Sequence, residues 1–174
     1  MSTLIADLTH EFRGQKGFAD RAMAGLSADA FFKRPGDAVN PIALIVKHLA
    51  GNLRSRWCDF LTADGDKPTR DRDAEFVLGP DDTQAGLLNA WERGWATLFD
   101  TLATLTDADL LKTVTIRGEP HTAQQALLRG LSHTAYHVGQ IMYLARLLNP
   151  QGPYVTIAPG KSKEYAPGYL KKPT

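Results

Sequence analysis

Apolar residues recur at helical spacing in four stretches of the chain, and segments rich in Gly, Pro and Asp separate them. That alternation predicts four helices packed as a bundle. The first spans about residues 3–25, with Ile5, Leu8, Phe12, Ala19, Ala22 and Met23 as its buried stripe and Gly14 and Gly17 weakening its middle. The second opens at Asn40-Pro41, where Asn can cap exposed amides and Pro suits the first helical position, and it should end near Thr62. Its core face is Ile42, Ile45, Val46, Leu49, Leu53, Trp57 and Phe60, leaving Lys47, Arg54 and Cys58 to point elsewhere. The third starts near Asp82 or Thr83 and continues to about Leu105, burying Leu88, Trp91, Trp95, Leu98, Phe99 and Leu102.

The last helix opens at Thr122 with Gln125 three residues on, the capping-box pattern in which two orphan amides are satisfied reciprocally. It should run to about Leu148, with Leu127, Leu131, Thr134, Val138, Ile141, Met142, Ala145 and Leu148 on one side of the wheel. Between helices, residues 63–82 are polar and charged and read as a long surface loop. Thr113-Val114-Thr115-Ile116 alternates like a short strand with Arg117-Gly118-Glu119 as its turn, which predicts a small β-hairpin. From Pro150 onward Gly and Pro recur every few residues. The expectation is therefore an all-α four-helix bundle over residues 1–149 and an irregular tail over 150–174 packing on it.

Composition narrows the function classes. The chain of 174 residues suits one domain, and a hydrophobic share of 43% with 22% charged residues is ordinary for a globular protein. Twenty Lys plus Arg stand against 19 Asp plus Glu, so no overall field favours nucleic acid or an anionic membrane. No apolar run is long enough for a membrane span, and the first dozen residues carry Asp7 and Glu11, unlike a secretory signal. A single cysteine, Cys58, permits no intrachain disulfide and agrees with a reducing cytoplasm. The expected partner is a small molecule.

Candidate chemistry lies in the histidines. His133 and His137 are four residues apart, which puts both imidazoles on one helix face a turn apart, close enough to grip one ion. His48 lies mid-way along another amphipathic helix, near the margin of its apolar arc and on the side of Asn52 and Asp59. A bundle can bring the three rings together, and three unpaired imidazoles in a low dielectric would be costly unless a divalent cation joined them. Two core histidines satisfied by hydrogen bonds are the plainer alternative for His133 and His137.

Two motifs carry a resemblance. Ser132-His133-Thr134-Ala135-Tyr136-His137-Val138-Gly139-Gln140-Ile141, together with Val46-Lys47-His48-Leu49-Ala50-Gly51-Asn52, closely resembles the DinB-like superfamily of bacterial four-helix bundles, which includes bacillithiol- and mycothiol-dependent transferases and isomerases. The likeness covers nearly the whole chain, including Arg34-Pro35, and the segment Pro159-Gly160-Lys161-Ser162-Lys163-Glu164-Tyr165 is similar to a branch whose members mostly lack an assigned activity. The resemblance implies that His48, His133 and His137 bind one metal ion and that a low-molecular-weight thiol is activated there for transfer to an electrophile. Three imidazoles suit zinc or nickel best, with iron a further option, and leave a coordination position open. The competing expectation is a non-catalytic stress-response bundle whose ion is structural.

Other residues carry less. Thr134 stands where a metalloprotease helix requires Glu, so peptide hydrolysis by that route is not expected. Asn52, Asp59 and Gln140 could orient a ligand or serve as polar rim. Cys58 points away from His48 on the wheel and reads as a buried structural thiol. His10 and His121 read as surface or cap residues. Tyr154, Tyr165 and Tyr169 among Lys161, Lys163, Lys171 and Lys172 could gate a pocket or hold an anionic thiol cofactor, although plain cover for the bundle is the simpler reading. A smooth patch of Leu128, Ala135, Gly139 and Met142 on the last helix could form a homodimer contact.

Overall fold

Capping chemistry sets where the helices begin. The computed structural model describes residues 3–164, and in it helix α1 (Leu4–Met23) starts where the Thr3 hydroxyl accepts from the Ala6 amide. A short helix α2 (Ala28–Phe32), capped by Ser27, was not expected from the sequence. Its five residues are too few to display a helical period, yet Phe31 is fully buried. Helix α3 (Ile42–Trp57) starts without a side-chain cap, because Pro41 rather than Asn40 takes the cap position. It also stops five residues short of the expected end. The backbone leaves helical geometry at Cys58, and Asp59 has φ +51°, while Phe60 still folds back into the core.

Helix α4 (Gln84–Thr104) is capped by Thr83, and helix α5 (Ala123–Leu148) carries the expected capping box between Thr122 and Gln125. The tightest pairings are α3 with α4 and α1 with α5. At the centre Phe12 stands edge-on to Trp57 and Trp95, with ring centroids 6.1 and 6.5 Å away. The Trp91 indole donates to Asp20 Oδ1 at 2.9 Å, fastening α4 to α1. Truncating any of these buried tryptophans to Ala should cost about 3–5 kcal/mol. Leu87 is buried where Leu88 was expected, and Leu88 and Phe99 pack at the core margin.

The hairpin forms as expected. Strands β1 (Thr113–Ile116) and β2 (Glu119–Thr122) pair antiparallel with Ile116 opposite Glu119. The two intervening residues, Arg117 and Gly118, have φ of +57° and +74°, the mirror-image turn that matches strand twist and favours Gly at its second position. Asp64 compensates for this backbone by accepting from the Arg117 and Gly118 amides, both at 2.8 Å.

Asp64 belongs to the stretch 63–82, which is not the free surface loop its polarity suggested. The Gly65 amide donates to the Thr115 carbonyl at 2.9 Å, and Ser55 Oγ donates to the Gly65 carbonyl and accepts from the Lys67 amide, each at 3.2 Å. Lys47 Nζ binds Asp82 Oδ2 and the Val77 carbonyl, both at 2.8 Å. Between these anchors a 3-10 turn at Ala74–Phe76 lies against α3. Charged residues can serve such a segment because they are spent on its own backbone and on the helix beneath.

Beyond α5 the chain is irregular to Glu164 apart from a 3-10 turn at Ser162–Glu164. Arg146 gathers the carbonyls of Pro150, Gly152 and Pro153 at 2.8 to 2.9 Å, and Arg21 Nε donates to the Val155 carbonyl at 3.3 Å. Tyr154 lies beneath the Arg146 guanidinium and Val155 packs on the core, whereas Tyr165, Tyr169, Lys171 and Lys172 lie outside the described residues. Among the described residues no helix is long and apolar enough to cross a membrane.

Candidate metal centre

Two helices and one stretch of connecting chain build the site. His48 projects from the middle of α3 and is 3% exposed, while His133 and His137 project from successive turns of α5 and are half-buried. The bundle brings together all three histidines singled out in the sequence. One ring nitrogen from each lies within 4.8 Å of the others, so the three could hold a metal ion. The ring centroids are 4.7 to 5.3 Å apart.

What each ring does with its second nitrogen decides what it can offer. His48 Nδ1 lies 2.8 Å from Glu75 Oε2, and the carboxylate can only accept, so this nitrogen carries the hydrogen and the Nε2 lone pair turns inward. His137 Nδ1 lies 2.7 Å from Gln140 Oε1, which orients that ring in the same sense. The Nε2 atoms of His48 and His133 then face each other at 3.2 Å. Two ligand nitrogens on a tetrahedral zinc with arms of about 2.0–2.1 Å stand about 3.3 Å apart, so the separation suits a shared cation.

Glu75 is itself held. Arg70 donates from Nε to Oε1 at 2.7 Å and from Nη2 to Oε2 at 2.8 Å, a two-pronged pair whose side chains are 5% and 9% exposed. Burial pushes the Glu75 carboxyl upward, but the His48 and Arg70 hydrogen bonds outweigh it and hold the pKa below the usual value. The Glu75 carboxylate can sit there because residue 51 on α3 is Gly. A Cβ at Gly51 would fall 2.8 Å from Glu75 Cδ, a distance that would force the carboxylate to move.

Burial first, then the proximity of His137 and His48, pushes the His133 imidazole down to about 3, and burial also lowers His137. Both rings are therefore neutral at pH 7, the form that binds metal. Phe76 stacks on His48 with centroids 4.7 Å apart, and Tyr136 lies across His133 and His137. Among the described residues no fourth metal-ligating side chain joins the three.

The remaining sequence candidates separate. Gln140 orients His137, and Asn52 lines a cavity that reaches His133. Asp59 falls beyond the end of α3 and accepts from Cys58 Sγ at 3.3 Å. Cys58 is exposed, contrary to the buried thiol expected, because the helix ends one residue before it. The hydrogen bond to Asp59 raises its pKa, the wrong direction for a nucleophilic thiolate. His10 is exposed, and His121 lies on β2 with Nδ1 3.0 Å from the Glu119 carbonyl. On α5 Leu128 and Gly139 are exposed and Ala135 and Met142 half-buried, so the smooth patch faces outward.

Sequence reading missed Glu75, Arg70 and Phe76, which come from the stretch taken for surface loop. The one signal available was apolar residues inside an otherwise charged segment: Leu78 packs against the core and Phe76 stacks on His48, although Val77 is exposed.

A family model described as Protein of unknown function (DUF1572) matches residues 2–161. Among solved structures, the crystal structure of "the conserved protein of locus" from Enterococcus faecalis aligns with a TM-score of 0.63, covering 87% of this chain and 100% of that one at 16% identity, a likeness of fold. No curated protein matches the sequence.

Proposed function

This chain belongs to the family described as protein of unknown function (DUF1572), and we propose that it is a metal-dependent enzyme whose ion is held by His48, His133 and His137 and serves to activate a low-molecular-weight thiol for transfer to an electrophile. The observation that carries the metal is the convergence of three imidazole nitrogens within 4.8 Å while carboxylate and amide oxygens occupy the far side of His48 and His137. Such outer partners fix ring tautomer and raise ligand basicity. Zinc and nickel suit the donor set best, with iron a further option.

A divalent ion held by three imidazoles supplies Lewis acidity, which brings a thiol or water towards ionisation near neutral pH. The chain's own residues hold the frame for that chemistry. Glu75 keeps the hydrogen of His48 on Nδ1, Arg70 keeps Glu75 ionised, and the Phe76 and Tyr136 rings flank the triad. The lack of a fourth protein ligand among the described residues favours a catalytic over a structural ion. The choice of a thiol rests on the resemblance of the His48 and His133 motifs to the DinB-like superfamily.

The test is a transfer assay with zinc- and nickel-loaded protein, offering bacillithiol, mycothiol and glutathione to a chromogenic electrophile. One thiol should be consumed above background, and His48→Ala and His137→Ala should abolish the excess. A fully metallated protein that consumes none of the three overturns the transferase reading in favour of the structural ion.

A further inference from the structure

Five arginines crowd one cavity. Arg56 from α3, Arg70 and Arg72 from the connecting stretch, Arg117 from the hairpin turn and Arg129 from α5 line a space of about 420 Å³ that has His133 at its edge. Among the described residues, two carboxylates pair with them. Glu75 is taken by Arg70, and Asp66 lies 3.5 Å from Arg70 and 3.3 Å from Arg117.

The Nε atoms of Arg56 and Arg72 are buried and have no hydrogen-bond partner among the described residues. A buried donor left unmade costs about 1–3 kcal/mol, more when it is charged. Burial, then the nearby Arg129 and Arg70 charges, lowers Arg56 to about 10, so the cluster resists its own charge. An arrangement of this kind is satisfied by an anion, and the planar fork of arginine matches the oxygens of phosphate and carboxylate.

The placement relative to the triad follows from helical spacing. His48, Asn52 and Arg56 succeed one another at four-residue steps on α3, and Arg129, His133 and His137 do so on α5. At about 1.5 Å rise per residue, Arg129 lies about 6 Å along its helix from His133 and Arg56 about 12 Å from His48.

We infer that the arginine-walled cavity binds the phosphate or carboxylate end of a small molecule whose other end lies at the three histidines. The orientation of that molecule rests on the metal reading above, whereas the anion site stands on the arginines alone. The substrate class is thereby narrowed to anionic compounds a few bonds longer than the anionic group itself.

Calorimetric titration of inorganic phosphate, and separately of succinate, into the metal-free full chain at low ionic strength tests this. At least one should bind one-to-one with a Kd of about 1 mM or below. Arg56→Gln and the exposed Arg129→Gln should each weaken binding tenfold or more, and Arg93→Gln, exposed on α4 and outside the cavity lining, should not. The tighter of the two probes identifies the anionic group. No saturable binding of either anion overturns the inference, as does binding that both cavity variants leave unchanged. Zinc titrated into the same proteins separates the two claims. A chain that takes zinc but neither anion loses the anion site and keeps the metal, and one that takes phosphate but no zinc does the reverse.

Discussion

Glu75 Oε2 accepts from His48 Nδ1 at 2.8 Å, although the two residues stand 27 apart in sequence and Glu75 comes from a 3-10 turn rather than a long helix. The connecting stretch is thereby part of the centre. Glu75→Gln keeps the shape but loses the charge that Arg70 and His48 meet, and it should weaken metal binding about 10–100-fold in a chelator competition. Glu75→Ala leaves the buried Arg70 with only the longer contact to Asp66 and should cost about 3–5 kcal/mol in denaturant unfolding. Unchanged affinity in Glu75→Gln would show that His48 needs no such partner.

Gly51→Ala probes the same contact from the helix side. Alanine favours a helix by about 0.8–1.0 kcal/mol over glycine, so propensity alone predicts a more stable protein. A Cβ 2.8 Å from Glu75 Cδ reverses that, because Arg70 and His48 hold the carboxylate on both oxygens and it cannot swing away freely. Metal affinity should fall towards that of Glu75→Gln. A stabilised variant with native affinity would contradict the close approach.

Much of this arrangement was legible before the structure. The stripe Ile5, Leu8, Phe12, Ala19, Ala22 and Met23 is buried as its period predicts, and the Thr122 and Gln125 cap forms. His48, His133 and His137 converge because each lies at the margin of a buried helical face, a position that periodicity can locate. Glu75 and Arg70 could not be found that way. Their stretch has no period, and its burial comes from tertiary hydrogen bonds to Ser55, Thr115 and Lys47 that no local pattern encodes. Asp59 was misplaced for a related reason, since a wheel extended past Trp57 assigns faces to residues that are no longer helical.

Asp64 gives the pH dependence a definite sign. Its carboxylate accepts from the Gly118, Asp66 and Arg117 amides, and these bonds, that of Gly118 foremost, lower its pKa to about 2. A depressed folded-state pKa contributes stability that is fully present above the unfolded value of about 3.9 and is lost as pH falls through about 2. The gap in urea midpoint between the native chain and Asp64→Asn should therefore be widest above pH 4 and close as pH falls towards 2. A gap independent of pH would remove the hairpin anchor from the account.

Cys58→Ser should leave metal content and any thiol transfer unchanged, since the exposed thiol is tied to Asp59 with its pKa raised. Loss of transfer in that variant would place a protein thiol in the reaction.

The central claim is the shared ion, and metal analysis by mass spectrometry after purification without chelator tests it most directly. One zinc, nickel or iron per chain is expected in the native protein, with loss of nearly all of it in His137→Ala and in His48→Ala. A native protein free of metal that also fails to take up zinc or nickel in titration, or a His137→Ala variant that retains a full complement, would contradict the account.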